Sequence, residues 1–161
     1  MNKCSYELMQ SLVSKYVGTP TNVLDVGSYD VNGCYKSLFS CPYTGLDMSA
    51  GPNVDYVAIE PYKWDFPDNS FDLVISGQCL EHAQAPWLLV KEIERVSSAW
   101  IILIAPWKWR IHPYPVDCWR ILPDGMRYLL NGWCDFEVKE CNTDCETAVL
   151  EGLCYGVGKK Q

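Results

Sequence analysis

The spacing of apolar and polar residues changes repeatedly along the chain, and these changes predict a series of strands and helices. Short apolar runs that end at a glycine or an acid are typical of buried strands in a parallel sheet. The seven predicted strands lie at about 22–27, 43–47, 54–60, 71–76, 100–105, 136–139 and 153–157. The last two could pair as a hairpin across the link at 142–151.

Apolar residues at helical spacing fill several of the intervals between the strands. The predicted helices lie at about 5–17, within an N-terminal segment of residues 1–20, and at 33–40, 86–98 and 123–130. Pro86 suits the first turn of a helix, and Cys41-Pro42 ends another because the residue before proline resists helical geometry. The alternation predicts one α/β domain over residues 1–161, a doubly wound, mostly parallel sheet with helices on both faces.

The composition is that of an ordinary soluble globular protein, with 48% hydrophobic and 20% charged residues among 161. No apolar run approaches the roughly 18 residues that a membrane span needs. The start of the chain, from Met1 to Glu7, is too polar for a signal peptide. We therefore expect a cytoplasmic protein without a membrane segment.

The charge and the cysteines argue against two further classes of partner. A formal net charge of −7 disfavours nucleic acid, and the clearest basic cluster comprises only Lys108, Arg110 and Arg120. The nine cysteines include no CxxC pair, and Cys141 and Cys145 have no second pair at zinc-like spacing. The sequence therefore predicts reduced, mostly buried thiols and no metal site.

Three acids lie in or at the end of the first three predicted strands: Asp25, Asp47 and Glu60. In an open α/β sheet, ligands bind outside the carboxyl ends of the strands. Carboxylates there can accept hydrogen bonds from ribose hydroxyls or from an exocyclic amine. Asp47 follows Gly27 by 20 residues, the separation at which a dinucleotide site places its ribose acid. The sequence therefore predicts a nucleoside cofactor.

The turn after the first strand discriminates between nucleosides. Residues 27–33 lack the middle glycine of the dinucleotide fingerprint, and the acids Asp25 and Asp30 flank the turn where a pyrophosphate would disfavour them. This pattern argues against a nicotinamide-dependent oxidoreductase. It favours a ligand with a positive end and no phosphate, such as S-adenosylmethionine.

The chain resembles a small, stand-alone class I S-adenosylmethionine-dependent methyltransferase from about residue 23 to residue 136. The segments that carry the resemblance, in the family's order and spacing, are 23–27, 43–47, 66–74, 79–82 and 123–126. The resemblance implies S-adenosyl-L-methionine as the cofactor. It also implies a Rossmann-like sheet with strand order 3-2-1-4-5-7-6 and strand 7 antiparallel.

The resemblance implies a cofactor site made of Asp25, Gly27, Ser28, Tyr29, Asp47, Met48, Glu60, Gly77 and Gln78. In it, Asp25 meets the methionine ammonium, Asp47 holds the ribose hydroxyls and Glu60 faces the adenine amine. Asp25 could instead cap its turn, and a structural role suits Glu60 equally well. The chain departs from the family where Tyr29 replaces the usual second glycine and where residues 61–65 are bulkier.

The aromatic loop at 106–120 follows the fifth strand and is predicted to line the acceptor side. We expect Trp107, His112 and Tyr114 to face the acceptor, although the whole loop could instead be a structural plug. His112, with Asp117 close to it in sequence, is the candidate general base. His82 is a second acceptor-side candidate, or else a packed histidine at the start of a helix.

The predicted function is methyl transfer to a small-molecule or glycan-like acceptor, with oxygen as the expected methylated atom. The alternative is a non-catalytic module that binds S-adenosylmethionine or its demethylated product, since the short chain has no cap domain over a substrate. Tight cofactor binding without turnover would favour the module. Stabilisation by NAD alone would favour the oxidoreductase.

Overall fold

A computed structural model describes residues 3–131, 135–142 and 152–160 of the chain. The helices are α1 (Lys3–Leu12), α2 (Pro86–Val96) and α3 (Pro123–Leu129). The strands are β1 (Val23–Val26), β2 (Tyr43–Asp47), β3 (Tyr56–Val57), β4 (Phe71–Gly77), β5 (Ser97–Lys108), β6 (Asp135–Asn142) and β7 (Gly152–Lys159). Gly132 and most of the predicted 142–151 link lie outside the described residues.

All seven strands form one sheet with the order β3-β2-β1-β4-β5-β7-β6. Strands β1 to β5 are parallel, and β7 runs antiparallel to both β5 and β6. The strand order and the antiparallel β7 inferred from the sequence are confirmed. Because the five parallel strands share one direction, their carboxyl ends meet at a single edge of the sheet.

Two apolar clusters, one on each face, bury the sheet. α1 contributes Met9 and Leu12 to the cluster that contains Leu73 and Ile102. α2 and α3 contribute to the opposite cluster, which contains Val74 and Ile101 among its strand residues. Neighbouring residues of β4 and β5 therefore pack on opposite faces, as expected of a central strand covered on both sides.

Two predicted elements are shorter than expected. The helix at 33–40 is only a 3₁₀ turn, Lys36–Leu38. The Asp30 side chain accepts the Gly33 N–H at 2.6 Å, a local turn that competes with helix initiation, and Pro42 closes the segment. The strand at 54–60 is only β3, because β2 ends at Asp47 and leaves no partner beyond it.

Two other boundaries also differ from the prediction. The N-terminal α-helix ends at Leu12 and continues as a π-helical turn over Val13–Val17. β5 runs to Lys108, which pairs with Gly152 of β7, so the aromatic loop starts later than residue 106. No helix in the described part of the chain is long and apolar enough to cross a bilayer. Cys34, Cys41, Cys79 and Cys118 are free thiols.

Candidate active site

The turn after β1 is fixed to both neighbouring strands. The N–H groups of Gly27 and Ser28 donate to the Leu46 carbonyl in β2, at 2.9 and 3.0 Å. Gly27 has a φ of 80°, and a Cβ there would lie 2.6 Å from the Cβ of Cys79, in the segment after β4. Glycine is therefore required at this position both for its backbone conformation and for the close approach of the β4 loop.

Ser28 secures the turn from its other side. Its hydroxyl donates to the Asn53 carbonyl at 3.0 Å, and the Asn53 side-chain amide donates back to the Ser28 carbonyl, also at 3.0 Å. The Ser28 side chain is buried. Its observed contacts therefore place it in the loop scaffold that holds the site.

Asp25 is a buried carboxyl in β1 with one oxygen already engaged. The Tyr43 hydroxyl donates to its Oδ2. Its Oδ1 has no hydrogen-bond partner among the described residues. Burial raises the pKa of Asp25 to about 7, the Tyr43 hydrogen bond opposes this rise, and the nearby charge of Asp47 adds to it. A cationic group beside Oδ1 would relieve this cost.

Asp47 ends β2 and is held by two backbone donors. Its Oδ2 accepts from the Tyr29 N–H at 3.3 Å and its Oδ1 from the Ser49 N–H at 3.0 Å. Each oxygen keeps a further lone pair for an incoming hydroxyl. Met48, the next residue, is half exposed.

The Tyr29 ring lies over the backbone of Gly51, where a Cβ would be 2.2 Å from the ring atom Cε2. The residue that replaces the family's second glycine therefore packs against the loop after β2. Glu60, by contrast, is exposed three residues beyond β3, in a bridge opposite Lys63. The structure brings Asp25 and Asp47 onto adjacent strands and places Glu60 outside regular sheet pairing.

Gly77 ends β4, next to β1, and Gln78 follows it. The Gln78 N–H donates to the Ile104 carbonyl at 2.9 Å, and its backbone adopts a φ of 63°, which is uncommon outside glycine. Its side-chain Nε2 is buried and lacks a partner among the described residues. Strained backbone and an unpaired buried donor are features that often occur at functional sites.

These residues fit S-adenosylmethionine. The unpaired Asp25 Oδ1 is an acceptor for an ammonium, and the unpaired Gln78 Nε2 is a donor for a carboxylate. The methionine end of the cofactor carries both groups. Asp47, on the strand next to Asp25, has free lone pairs for two ribose hydroxyls.

The two histidines of the chain meet at the same edge, beyond β4 and β5. The rings of His82 and His112 lie 5.0 Å apart, nearly edge to face. His82 Nδ1 lies 2.6 Å from the Val116 carbonyl, and burial lowers the pKa of His82. His112 Nδ1 lies 3.3 Å from Oδ2 of Asp117, which also accepts the His112 backbone N–H at 2.7 Å.

Arg120 fixes the loop that carries His112. Its guanidinium donates to both oxygens of Asp117, at 2.5 and 2.8 Å, and to the carbonyls of Trp109 and Arg110. This hydrogen-bonded cation holds the pKa of Asp117 well below its usual range. The Trp119 indole donates to the Ala83 carbonyl at 2.9 Å, which ties the loop to the segment after β4.

The other two aromatic candidates on the loop differ in environment. Trp107 lies within β5, packs against the core on the α2 and α3 face, and covers Gly152. Trp107 is therefore partly buried and packs against the core, and its contact with an acceptor stays a prediction. Tyr114 is more than half exposed, with its side chain available to a ligand.

Glu81 is a site residue that sequence reasoning missed. It is fully buried, and both carboxylate oxygens lack partners among the described residues. Burial raises its pKa to about 8. Its carbonyl accepts the N–H groups of Cys118 and Trp119, so it also anchors the aromatic loop. The available signal was its place in the Leu80-Glu81-His82 segment, where an acid follows a buried leucine.

Comparison with known proteins agrees with this geometry. Residues 24–99 match a family model described as a methyltransferase domain. This span contains β1 to β4 and α2, and therefore Asp25, Gly27 and Asp47. The match gives no support to a nicotinamide-dependent oxidoreductase. No curated protein matches the chain significantly in sequence.

Solved structures share the fold at low identity. A Burkholderia thailandensis 1,6-didemethyltoxoflavin-N1-methyltransferase, crystallised with 1,6-didemethyltoxoflavin and S-adenosylhomocysteine, has a TM-score of 0.69 and 16% identity over 99% of this chain and 80% of its own. The YcgJ protein from Bacillus subtilis has a TM-score of 0.71 and 13% identity over 99% of each chain. A Haemonchus contortus phosphoethanolamine N-methyltransferase 2 has a TM-score of 0.68 and 15% identity over 98% of this chain and 56% of its own.

Proposed function

We propose that the chain, whose residues 24–99 match a methyltransferase-domain model, is a class I S-adenosylmethionine-dependent methyltransferase that methylates a small-molecule or glycan-like acceptor at an oxygen atom. The observation that most strongly supports methylation of an acceptor hydroxyl is the position of the two histidines. His82 and His112, from the segments after adjacent strands, face each other at the sheet edge that also carries Asp25 and Gln78. Similar folds include N-methyltransferases, so the choice of oxygen depends on these two histidines.

The chain's own residues align the reactants. The unpaired Asp25 Oδ1 and Gln78 Nε2 would hold the ammonium and the carboxylate of the methionine moiety, and Asp47 would hold the ribose. The cofactor, when bound, supplies a methyl group already activated on a sulfonium. Alignment of acceptor, methyl and sulfur can contribute roughly 7–11 kcal/mol to the lowering of the barrier.

His112 is the proposed base for an acceptor hydroxyl. Asp117 and the Arg110 carbonyl face its Nδ1, at 3.3 and 3.1 Å, and so favour the tautomer with a lone pair on Nε2. The Nε2 atom would then accept the proton of an acceptor hydroxyl. His82 and Tyr114 are proposed acceptor contacts, and Trp107 supports the loop from within β5.

Mass spectrometry with a methyl-deuterated cofactor tests this function. The protein is incubated with a panel of hydroxylated small molecules, glycosides and amines, and each mixture is searched for a labelled product. We expect label on a hydroxyl of one class and a loss of turnover in His112→Ala. Label on nitrogen alone, or full turnover in His112→Ala, would remove the proposed base. Tight cofactor binding with no transfer to any class would favour the non-catalytic module.

The cysteines of the chain support the prediction of a cytoplasmic location. The free thiols of Cys34, Cys41, Cys79 and the exposed Cys118 suit a reducing compartment. We propose a cytoplasmic protein on this ground. Thiol labelling of the protein in intact and lysed cells tests it, and disulfides between these cysteines in the purified native protein would argue against it.

A further inference from the structure

Three potential metal ligands lie close together at the sheet edge. One ligand atom from each of Glu81, His82 and His112 lies within 4.8 Å of the others. Glu81 Oε1 is 3.7 Å from His82 Nε2 and 3.9 Å from His112 Nε2. We call these three side chains the histidine cluster.

In both histidines, the contacts of Nδ1 show that Nε2 is the ring atom that faces the cluster as an acceptor. His82 Nδ1 lies 2.6 Å from the Val116 carbonyl, so this nitrogen must carry the proton. His112 Nδ1 lies against the Arg110 carbonyl and the Asp117 carboxylate, which also require a donor. In the neutral rings, both Nε2 atoms therefore direct lone pairs toward Glu81.

Glu81 adds two further acceptor atoms and no donor when ionised. The side chain is fully buried, and neither carboxylate oxygen has a hydrogen-bond partner among the described residues. The nearby cation Arg120 is directed to Asp117 and to backbone carbonyls. A buried carboxylate that faces two imidazole lone pairs is complemented either by a proton on the carboxyl group or by a cation bound among the three side chains.

We propose that Glu81, His82 and His112 bind one divalent transition-metal ion, of the class that includes zinc, cobalt, manganese and iron. Metal bonds of about 2.1 Å place neighbouring ligand atoms about 3.0–3.4 Å apart. The two spacings to Glu81, 3.7 and 3.9 Å, exceed this by about 0.3–0.9 Å, so metal binding requires the side chains to rotate toward one another. Two imidazoles with a carboxylate favour such a metal over magnesium or calcium.

The surroundings of the histidine cluster resemble those of a working metal site. Metal-bound histidines usually donate their other N–H to a carbonyl or carboxylate, as both rings do here. Three protein ligands leave a coordination position open, as catalytic zinc sites do. The open position adjoins the proposed acceptor side.

The ion would change how an acceptor hydroxyl is activated, and this part rests on the proposed function. A metal-bound His112 Nε2 has no lone pair for a proton, so the metal and the histidine base exclude each other. A metal-bound hydroxyl ionises more readily without a side-chain base. Loss of methyl transfer on chelation with cofactor binding retained would assign this role, whereas metal binding itself is measured without any acceptor.

Cobalt titration of the whole protein tests the site. Protein freed of metal by a chelator is titrated with Co²⁺ while its visible absorption and its near-ultraviolet thiolate bands are recorded. We expect one Co²⁺ per chain, visible bands typical of nitrogen and oxygen ligands, and no thiolate band. Glu81→Gln, His82→Ala and His112→Ala should each weaken binding by at least about 100-fold.

Two matched variants and a fold control make the outcome decisive. Cys118→Ser removes the exposed cysteine, and Asp65→Asn removes an exposed carboxylate in the loop before β4. Both should bind Co²⁺ as the unaltered chain does, and circular dichroism confirms that the ligand variants are folded. No binding to the unaltered chain, binding that survives in folded Glu81→Gln, or a thiolate band lost in Cys118→Ser would each overturn the proposal. In the first case, a proton on Glu81 takes the place of the metal.

Discussion

The two halves of the sheet edge are built in different ways. On the cofactor half, backbone groups of adjacent strands hold the site, as when Gly27 and Ser28 both donate to the Leu46 carbonyl. On the acceptor half, His82 and His112 are 30 residues apart, and one loop holds them together: Arg120 fixes the His112 segment, and the Val116 carbonyl contacts His82. The comparison teaches that cofactor binding depends on local strand-turn geometry, whereas acceptor chemistry depends on a tertiary hydrogen-bond network.

The halves also differ in what their buried acids lack. Asp25 has one engaged oxygen and one unpaired oxygen, beside an unpaired donor on Gln78. Glu81 has no engaged oxygen and faces two further acceptors. The first arrangement complements a ligand with both ammonium and carboxylate, and the second complements a bare cation. Substitutions should therefore separate the two binding events.

The largest expected effect concerns Asp25 in the cofactor-free protein. Its pKa of about 7 lies above the unfolded value, so between about pH 4 and pH 7 the folded state holds a proton that the unfolded state lacks. The free energy of unfolding should therefore fall as pH rises through this window. Asp25→Asn should remove up to about 4 kcal/mol of this fall. Urea unfolding at pH 4.5 and pH 8 measures the difference between the two proteins.

Cofactor binding sharpens the same prediction. An ammonium beside Asp25 favours the charged carboxylate, so binding near pH 6 should release a proton. Calorimetric titrations in two buffers with different ionisation enthalpies detect this release. The assignment of Asp25 fails if the two buffers give equal binding enthalpies, or if Asp25→Asn has the same pH-dependent stability as the unaltered protein.

The second largest effect is expected at Gly27. Alanine there must adopt a left-handed backbone and displace Cys79, which should cost about 3 kcal/mol of folding free energy. Gly125→Ala is the matched control, because Gly125 lies in α3 with no neighbouring atom within 4 Å of a new Cβ. Thermal unfolding of both variants measures the contrast. Equal stabilities would contradict the close packing of the β1 turn against the β4 loop.

Arg120→Ala is expected to reduce stability by a smaller amount and to lower methyl transfer without lowering cofactor affinity. The loss of its hydrogen bonds to Asp117 and to three carbonyls should cost about 1–2 kcal/mol and release His112. Methyl transfer should fall at least about tenfold, while the cofactor dissociation constant stays within about twofold. Arg127→Ala, which removes an exposed ion pair with Asp124, is the control. An equal loss of cofactor affinity in Arg120→Ala would contradict the separation of cofactor binding from acceptor chemistry.

Most of the cofactor half could be predicted from the sequence because its residues follow from local patterns. Apolar runs ending in Asp25-Val26-Gly27 and in Asp47 encode both strands and their terminal acids. The parallel sheet then brings these two ends together. Glu60 was harder to place, since the length of β3 depends on where β2 ends, and that is a tertiary property.

The acceptor half could be predicted only in part. One element on the cofactor half was also predicted wrongly: the 33–40 helix after β1 is a single 3₁₀ turn, since the Asp30 turn and Pro42 leave too little chain between them for a helix. The histidine cluster has no sequence motif, because His112 comes from a different loop than Glu81 and His82. The burial that gives Glu81 its chemistry arises from packing. The role of Trp107 likewise depends on β5 extending to Lys108.

Calorimetric titration of S-adenosyl-L-methionine into the unaltered protein, Asp47→Asn and Asp124→Asn tests the central claim most directly. Asp124 is an exposed carboxylate at the start of α3, so its variant controls for loss of charge. If Asp47 holds the ribose, Asp47→Asn should weaken binding about 10- to 100-fold and Asp124→Asn should leave it unchanged. Equal affinities for all three proteins, or no binding to the unaltered chain, would contradict the account.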